Sequence, residues 1–471
     1  MFAKSAGQRI VSRMVRRNAL PVATAVSLLF ASGQALAKDL YVSLTGSDSV
    51  TYEANSASNP WRNIDRGIYA LRAGDTLYIR GGNYSLSYPI WLRNDSTRAE
   101  KGGNPALTNT AQSGTAAAPV RVTAYPGEAV TIDASGVNLM HAMVTIDDKN
   151  YWTFENLSII NAAAAFCVAL DGASDHITLR NLNIRMNRGG DNAGAIQVVN
   201  ERGTNVRIES NTIVGPGHNV HLNTSGIWIN RTWTVKILGN VISNAPVGIY
   251  FKHGLAPGYT ASDVDVEVAY NYIRSTNRDG ARFSVSHAHI HDNIFGADTT
   301  LVEIGPSPSL PNGDYNRFVH NTVLVPLGLS TEDTNQPRGA YLNVIRDNVL
   351  VGTLGLHRWG DTSLAHATTL DYNLYPLGKS IFEFGGSYSL TEWTARSGQD
   401  LHSKVGLVQF LGGALPLSID QFRLLTGSLG LRSASDGKDI GADIDAILRA
   451  ISGQLPAPPP APVPPGQLSI R

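Results

Sequence analysis

The chain has 471 residues, and its 38 basic and 38 acidic side chains give a formal net charge of zero. With no basic stripe, nucleic acid is not an expected partner. Charged residues make up only 16% of the chain, Gly is frequent, and the single cysteine, Cys167, excludes an intramolecular disulfide and leaves stability to a core.

Residues 1–37 carry five basic side chains (Lys4, Arg9, Arg13, Arg16, Arg17), then the apolar "ALPVATAVSLLFASG" and a small-residue "ALA". That order predicts a secretory signal peptide cleaved near Ala37–Lys38, and hence a secreted or periplasmic protein. Pro21, Thr24, Ser27 and Ser32 interrupt the apolar run, which is short for a membrane span. No later segment is long and apolar enough to cross a bilayer, so the mature chain is expected to have no span. The opening of the mature part predicts a strand at "KDLYV", a short amphipathic helix over Trp61, Ile64, Ile68 and Leu71, and a strand at "AGDTLYIRGG". A helix there is expected to cap the open end of a solenoid core.

Internal repetition is the dominant signal. A unit reading apolar-x-apolar-x-x-Asn-x-apolar appears as "VRIESNTI", "VKILGNVI", "VEVAYNYI" and "AHIHDNIF", with looser copies to "TLDYNLY". It places Asn211, Asn240, Asn271, Asn293, Asn321, Asn348 and Asn373 at separations of 22 to 31 residues. Upstream, "FENLSI" and "LRNLNI" resemble the unit, but their apolar residue follows Asn156 and Asn181 one place late, so the register there is less secure. A propeller blade needs about 40 residues or more, whereas this period suits one coil of a parallel β-helix. The Asn is expected to bond its counterpart one coil away and to supply a left-handed bend. The fold class is therefore all-β: a right-handed, single-stranded parallel β-helix over residues 38–445.

A second repeat aligns "CVALD" (167–171), "AIQVV" (195–199), "GIWIN" (226–230), "GIYFK" (248–252), "GARFS" (280–284) and "LVEIG" (301–305). Strand alternation sends the second and fourth positions into the core. The third and fifth face outward. One outward column is then Ala169, Gln197, Trp228, Tyr250, Arg282, Glu303; its neighbour is Asp171, Val199, Asn230, Lys252, Ser284, Gly305. Trp228 and Tyr250 offer faces for sugar rings, and Arg282 and Lys252 offer charge for a carboxylate. A solvent-exposed groove for an acidic polysaccharide is expected. A parallel sheet carrying aromatic and basic residues without function is the competing reading.

The opening stretch, together with "DIGAD" (439–443), resembles secreted right-handed β-helix proteins of the polysaccharide-lyase and chondroitinase-like superfamily. "GIYFKHG" is similar to the surroundings of the catalytic Lys in family 9 lyases, and family 6 also uses a Lys with an Arg. The resemblance implies β-elimination on a uronic acid, with Lys252 as base, Arg282 as carboxylate neutraliser or acid, and His253 orienting or protonating substrate. Trp228, Tyr250, Asn230, Gln197 and Glu303 would bind sugar. It also implies calcium near the Lys, yet the preceding coils offer Gln197, Trp228 and Asn230 and no carboxylate cluster. Asp171 with Asp147, or Asp263, Asp265 and Asp279 from loops, are the remaining carboxylates, and the metal stays undetermined.

Other classes stay open. His287, His289 and His291 alternate and would share a face on a different sheet. A glycoside hydrolase would need two carboxylates, and Glu303 has no evident partner. A uronan epimerase would begin with the same proton abstraction. A noncatalytic carbohydrate-binding or envelope-structural β-helix needs no chemistry. "LHRWGD" (356–361) would close one end of a groove, and "PAPPPAPVPPG" makes 446–471 a Pro-rich tail. A monomer is expected.

Overall fold

The computed structural model describes residues 37–93, 103–138, 142–168, 172–199, 205–232, 234–252, 264–305, 313–329, 342–356, 368–377, 382–383 and 386–455. The expected signal peptide (residues 1–36 of it), residues 456–471 of the tail, and His253, Ala169, Asp171, Asp263 and most of "LHRWGD" lie outside the described residues.

Alternating apolar runs pair one coil at a time. Val206–Glu209, Thr212–Val214 and Ser225–Asn230 form one coil, and each pairs in parallel with the matching strand of the next. Repetition builds three twelve-stranded sheets. We call them sheet 1 (holding Val206–Glu209), sheet 2 (holding Ser225–Asn230) and sheet 3 (holding Thr212–Val214). The architecture is a right-handed parallel β-helix. The inward pairs Ile196/Val198, Ile227/Ile229, Ile249/Phe251, Ala281/Phe283 and Val302/Ile304 are all buried in one elongated core. A short helix, Ile64–Ile68, forms where the apolar spacing predicts it, with Ile64 and Ile68 in the same core.

The asparagine ladder is present from Asn211 to Asn373. Asn240 Nδ2 donates to Asn271 Oδ1 (3.0 Å) and to the Ile208 carbonyl (2.9 Å), and the Asn240 backbone N–H also reaches Asn271 Oδ1 (2.9 Å). The left-handed bend is not made by these asparagines, however. It falls on the residue before each: Ser210, Gly239, Tyr270, Asp292, His320, Asp347 and Tyr372 have φ between 51° and 66°. This corrects the expected role and resolves the poor fit upstream. Asn156 and Asn181 occupy the bend (φ 59° and 51°), so Leu157 and Leu182 take the inward ladder position. Leu182 N–H then starts the ladder by donating to Asn211 Oδ1 at 2.9 Å.

Residues beyond the last coil cover the outer face of sheet 3. One outward column there begins with Ser158, Asn183 and Thr212 and turns largely apolar at Val241, Tyr272, Ile294, Val349 and Leu374. Phe410, Phe422, Ile440, Ile444 and Ile447 pack against that apolar part as a second core. Ile444–Ile451 is a helix whose cap, Asp443, accepts from Ala446 N–H. Folded chain thus extends past residue 445, into the segment expected to be tail.

Candidate functional site

Sheet 2 gathers the columns expected from the repeat. Gln197 pairs with Trp228, Trp228 with Tyr250, Tyr250 with Arg282 and Arg282 with Glu303. Lys252 follows the strand Val247–Phe251, and its N–H donates to the Ile229 carbonyl, beside Asn230. Three of the copies open with Gly (Gly226, Gly248 and Gly280), and at Gly248 packing leaves no room for a side chain. A Cβ at Gly248 would lie 2.3 Å from the Gly280 carbonyl oxygen and 2.5 Å from the Ile273 side chain.

Upstream the register differs from expectation. Cys167, not residue 169, stands beside Gln197, because Phe166 pairs with Ile196. A two-residue slip keeps every face unchanged, so alternation alone cannot detect it.

Exposure departs further. Trp228 and Tyr250 are only 7% and 6% exposed, and pack with Val247 and Val199. The chain entering Gly194–Val199 passes close to the Trp228 side chain: a Cβ at Gly194 would sit 2.9 Å from Trp228 Cβ. The open shelf expected from the strands is therefore a buried cluster, packed with residues of the neighbouring sheet-2 strands.

Arg282 is likewise buried. Its Nε lies 3.1 Å from Glu303 Oε2, and its guanidinium sits 5.8 Å from the Tyr250 ring centre. Asp279 opens the same strand, buried, 3.4 Å from Arg278 Nε. Burial, with the Glu303 charge added, pushes the Asp279 carboxyl up to about 6, against the pull of Arg278 and Arg282. Burial also pushes the Tyr250 phenol up, with Arg282 opposing.

Loops ahead of the strands bring further groups to Lys252. Lys252 Nζ bonds Asn192 Oδ1, and Asp191 beside it accepts from Asn223 Nδ2 at 2.6 Å. Asn223 Oδ1 in turn accepts from Arg278. The Asn223 hydrogen bond holds the Asp191 carboxyl below the usual range, helped by His221 and Lys252. Asp191, Asn192, Asn223 and Arg278 were not found from the sequence. Their one signal is placement: each lies in the few residues before or at the start of a sheet-2 strand.

Two buried atoms on this face, Trp228 Nε1 and Asn230 Oδ1, have no hydrogen-bond partner among the described residues. His289 and His291 are on sheet 1, where His291 bonds Asp292 (2.8 Å) and Glu267 (3.2 Å). Among the described residues, no group of three or more His, Cys, Asp and Glu side chains is placed to hold a metal ion. The described carboxylates near Lys252 and Arg282 are engaged by arginines and an amide: Asp279 by Arg278, Glu303 by Arg282 and Asp191 by Asn223.

Residues 40–230 match the family model of the Pel9A-like right-handed β-helix region. The match ends at Asn230, ahead of Lys252. Over 161 residues the chain is 32% identical to pectate lyase PEL9 of Emericella nidulans, a stretch covering 31% of this chain and 34% of that protein. The match thus spans about a third of the relative's length. Among solved structures, pectate lyase Pel9A aligns with TM-score 0.47 and 15% identity, covering 86% of this chain and 96% of that one. XylC in complex with xylose aligns at 0.48 and 10%, covering 78% and 86%. The likeness carried by the sequence is thus to a Pel9A-like β-helix region over residues 40–230, and no helix among the described residues is long and apolar enough to cross a membrane.

Proposed function

We propose that this protein is an exported lyase that cleaves a uronic-acid-containing polysaccharide by β-elimination, with pectate the first substrate to test. The observation that carries the reading is the register that pairs Tyr250 with Arg282 on adjacent strands of sheet 2, with Lys252 just past the end of the Tyr250 strand, downstream of the Pel9A-like region. In this reading Lys252 Nζ takes the proton α to the uronate carboxylate. The Arg282 guanidinium, oriented by Glu303, neutralises that carboxylate as charge builds on it. The bond to the leaving glycosidic oxygen then breaks, leaving a ring double bond, and the oxygen departs with a proton; His253 is the nearest candidate donor in sequence. Asn192 Oδ1, bonded to Lys252 Nζ, fixes where that nitrogen sits.

A second reading has one specific support. Asp279, raised to about 6, stands near Glu303, whose charge is met by Arg282. A carboxyl raised in pKa beside a second carboxyl group is what glycoside hydrolysis uses. One assay separates the readings: ultraviolet absorbance and reducing ends are followed together on pectate, alginate, glucuronan and glycosaminoglycans, with calcium and with chelator. Elimination gives both signals, and Lys252→Ala abolishes both, a loss of at least ~10³-fold. Reducing ends without absorbance, retained in Lys252→Ala and lost in Asp279→Asn, would replace the lyase by a hydrolase. No signal on any polymer would leave epimerisation, read by NMR, and then a binding role.

A further inference from the structure

The outer face of sheet 1, opposite in role to the Lys252 face, carries groups the proposed reaction does not use. Two concavities lie on it, of about 530 Å³ and about 370 Å³. The first is lined by Tyr78, Tyr125 and Arg121, the second by Tyr151, His176 and Arg207 among others. Strand register joins them. Arg121 pairs with Thr153, Thr153 with Thr178, Thr178 with Arg207, and Arg207 with Lys236. Tyr78 lies on the strand before that of Arg121, so the strands of Tyr78 and Arg207 are four steps of ~4.8 Å apart, roughly 19 Å along the helix axis.

The charges in this row are layered. Glu155 is 2% exposed and lies between Arg121 and Arg180, whose side chains are 41% and 43% exposed. Glu209 is 7% exposed beneath Arg207, at 46%. Carboxylates sit low and guanidinium edges stand outward, so the surface a ligand meets is cationic although the pairs are balanced. Arg also keeps several N–H donors in a planar fork after one is engaged, which suits a second carboxylate. Aromatic faces accompany the cations. Tyr78 and Tyr125 are half-buried with ring centres 5.8 Å apart, and Tyr151 stacks on exposed His176 at 4.3 Å. Beyond Arg207 the character reverses: Lys236 is held by Asp265 and Glu267.

We infer that the row from Tyr78 to Arg207 on sheet 1 is a second binding trough, for a polyanionic glycan of the uronate class. The choice of uronate rests on the lyase reading; the trough itself rests on the sheet-1 geometry. It would hold a polymer strand on a face other than the one that cuts it.

The test is calorimetric titration of the full chain carrying Lys252→Ala, which blocks turnover, with a decamer of polygalacturonate. Two binding events per chain are expected. Arg207→Gln and Tyr78→Ala, each made separately in that background, should weaken one event by tenfold or more and leave the other. Both sites are at the surface, and an unchanged thermal midpoint verifies folding of each. A single event that neither variant alters would overturn the inference, as would a neutral glucan decamer binding as tightly as the uronate. Absence of eliminative turnover in the unsubstituted chain would sink the lyase reading instead, while the number of binding events still decides the trough.

Discussion

Asp279 shows how a single buried carboxyl sets a pH dependence on the candidate site. Its folded pKa is raised to about 6 from an ordinary 3.8. The folded chain therefore holds the proton more tightly than the unfolded chain, and stability falls as pH rises through roughly 4 to 6. Above that window the charged form remains a cost. Asp279→Asn is expected to stabilise the protein at pH 8 by about 1–3 kcal/mol, and by much less at pH 4, in urea denaturation. Arg282→Gln should act in the opposite sense. It leaves Glu303 and Asp279 facing each other without the guanidinium, so the loss is larger at pH 8 than at pH 5, on the order of 3 kcal/mol at the higher pH. Equal effects at both pH values for both variants would mean that Asp279 does not titrate in this environment. The residues of this cluster were partly legible. Tyr250, Arg282 and Glu303 fell into one column because the apolar positions beside them repeat. Asp191, Asn192 and Asn223 did not, because they sit in turns whose lengths change from coil to coil.

At the scale of the element, the ladder explains both what repetition reveals and where it misleads. The inward columns and the asparagines were readable because each coil must present the same shape to the next. The two-residue slip at Phe166–Val168 was not readable, since an even shift preserves the alternation that identified the strand. Nor was the second, shorter ladder, in which Asn316 N–H donates to Asn343 Oδ1 at 2.7 Å, because two rungs make no period. Alternation gives the face of Trp228 and Tyr250 but not their depth, because it says nothing of how closely Val199 and Val247 pack around them. The ladder also gives a graded prediction. Asn271→Leu removes the acceptor for the Asn240 backbone N–H and side-chain amide, and the donor to the Ile237 carbonyl. Each buried group left unpaired costs about 1–3 kcal/mol, so a loss of about 3 kcal/mol or more is expected. Asn211→Leu sits at the end of the ladder, where Leu182 already occupies the preceding rung. It orphans only the Leu182 N–H and the Leu179 carbonyl, and should cost about 1 kcal/mol less. Equal losses in urea titrations would show that the rungs act independently of position.

For the molecule as a whole, the covered face of sheet 3 ties the solenoid to the chain that follows it. Asp292 accepts from the Asp443 N–H at 2.9 Å, at the start of Ile444–Ile451, and Ser210 Oγ donates to the Ala450 carbonyl at 2.7 Å. Asp292 is also bonded to His291, which is flanked on its other side by Glu267. Burial disfavours a charged His291, but Asp292 and Glu267 outweigh it and raise the imidazole. Glu267 is in turn held down to about 2: burial opposes this, and His291 and Lys236 overcome it. Neighbouring His289, desolvated and facing the His291 charge, is lowered to about 3 and stays neutral. The sign follows from linkage. A raised histidine contributes stability that is complete below the unfolded value near 6.5 and is lost as pH rises through the folded value. The depressed Glu267 adds stability above about 4.5 that is lost only as pH falls toward 2. The clamp on the C-terminal chain is therefore strongest in mildly acidic solution. His291→Gln should destabilise the protein by about 1–2 kcal/mol more at pH 5.5 than at pH 9, because only the charged ring bridges the two carboxylates. Chemical denaturation of both proteins at the two pH values measures this difference directly. A His291→Gln penalty that is the same at pH 5.5 and pH 9 would show that the ring bridges Glu267 and Asp292 without its charge, leaving the C-terminal chain held by the apolar column of Tyr272, Ile294, Val349 and Leu374 and by hydrogen bonds such as Ser210 to the Ala450 carbonyl.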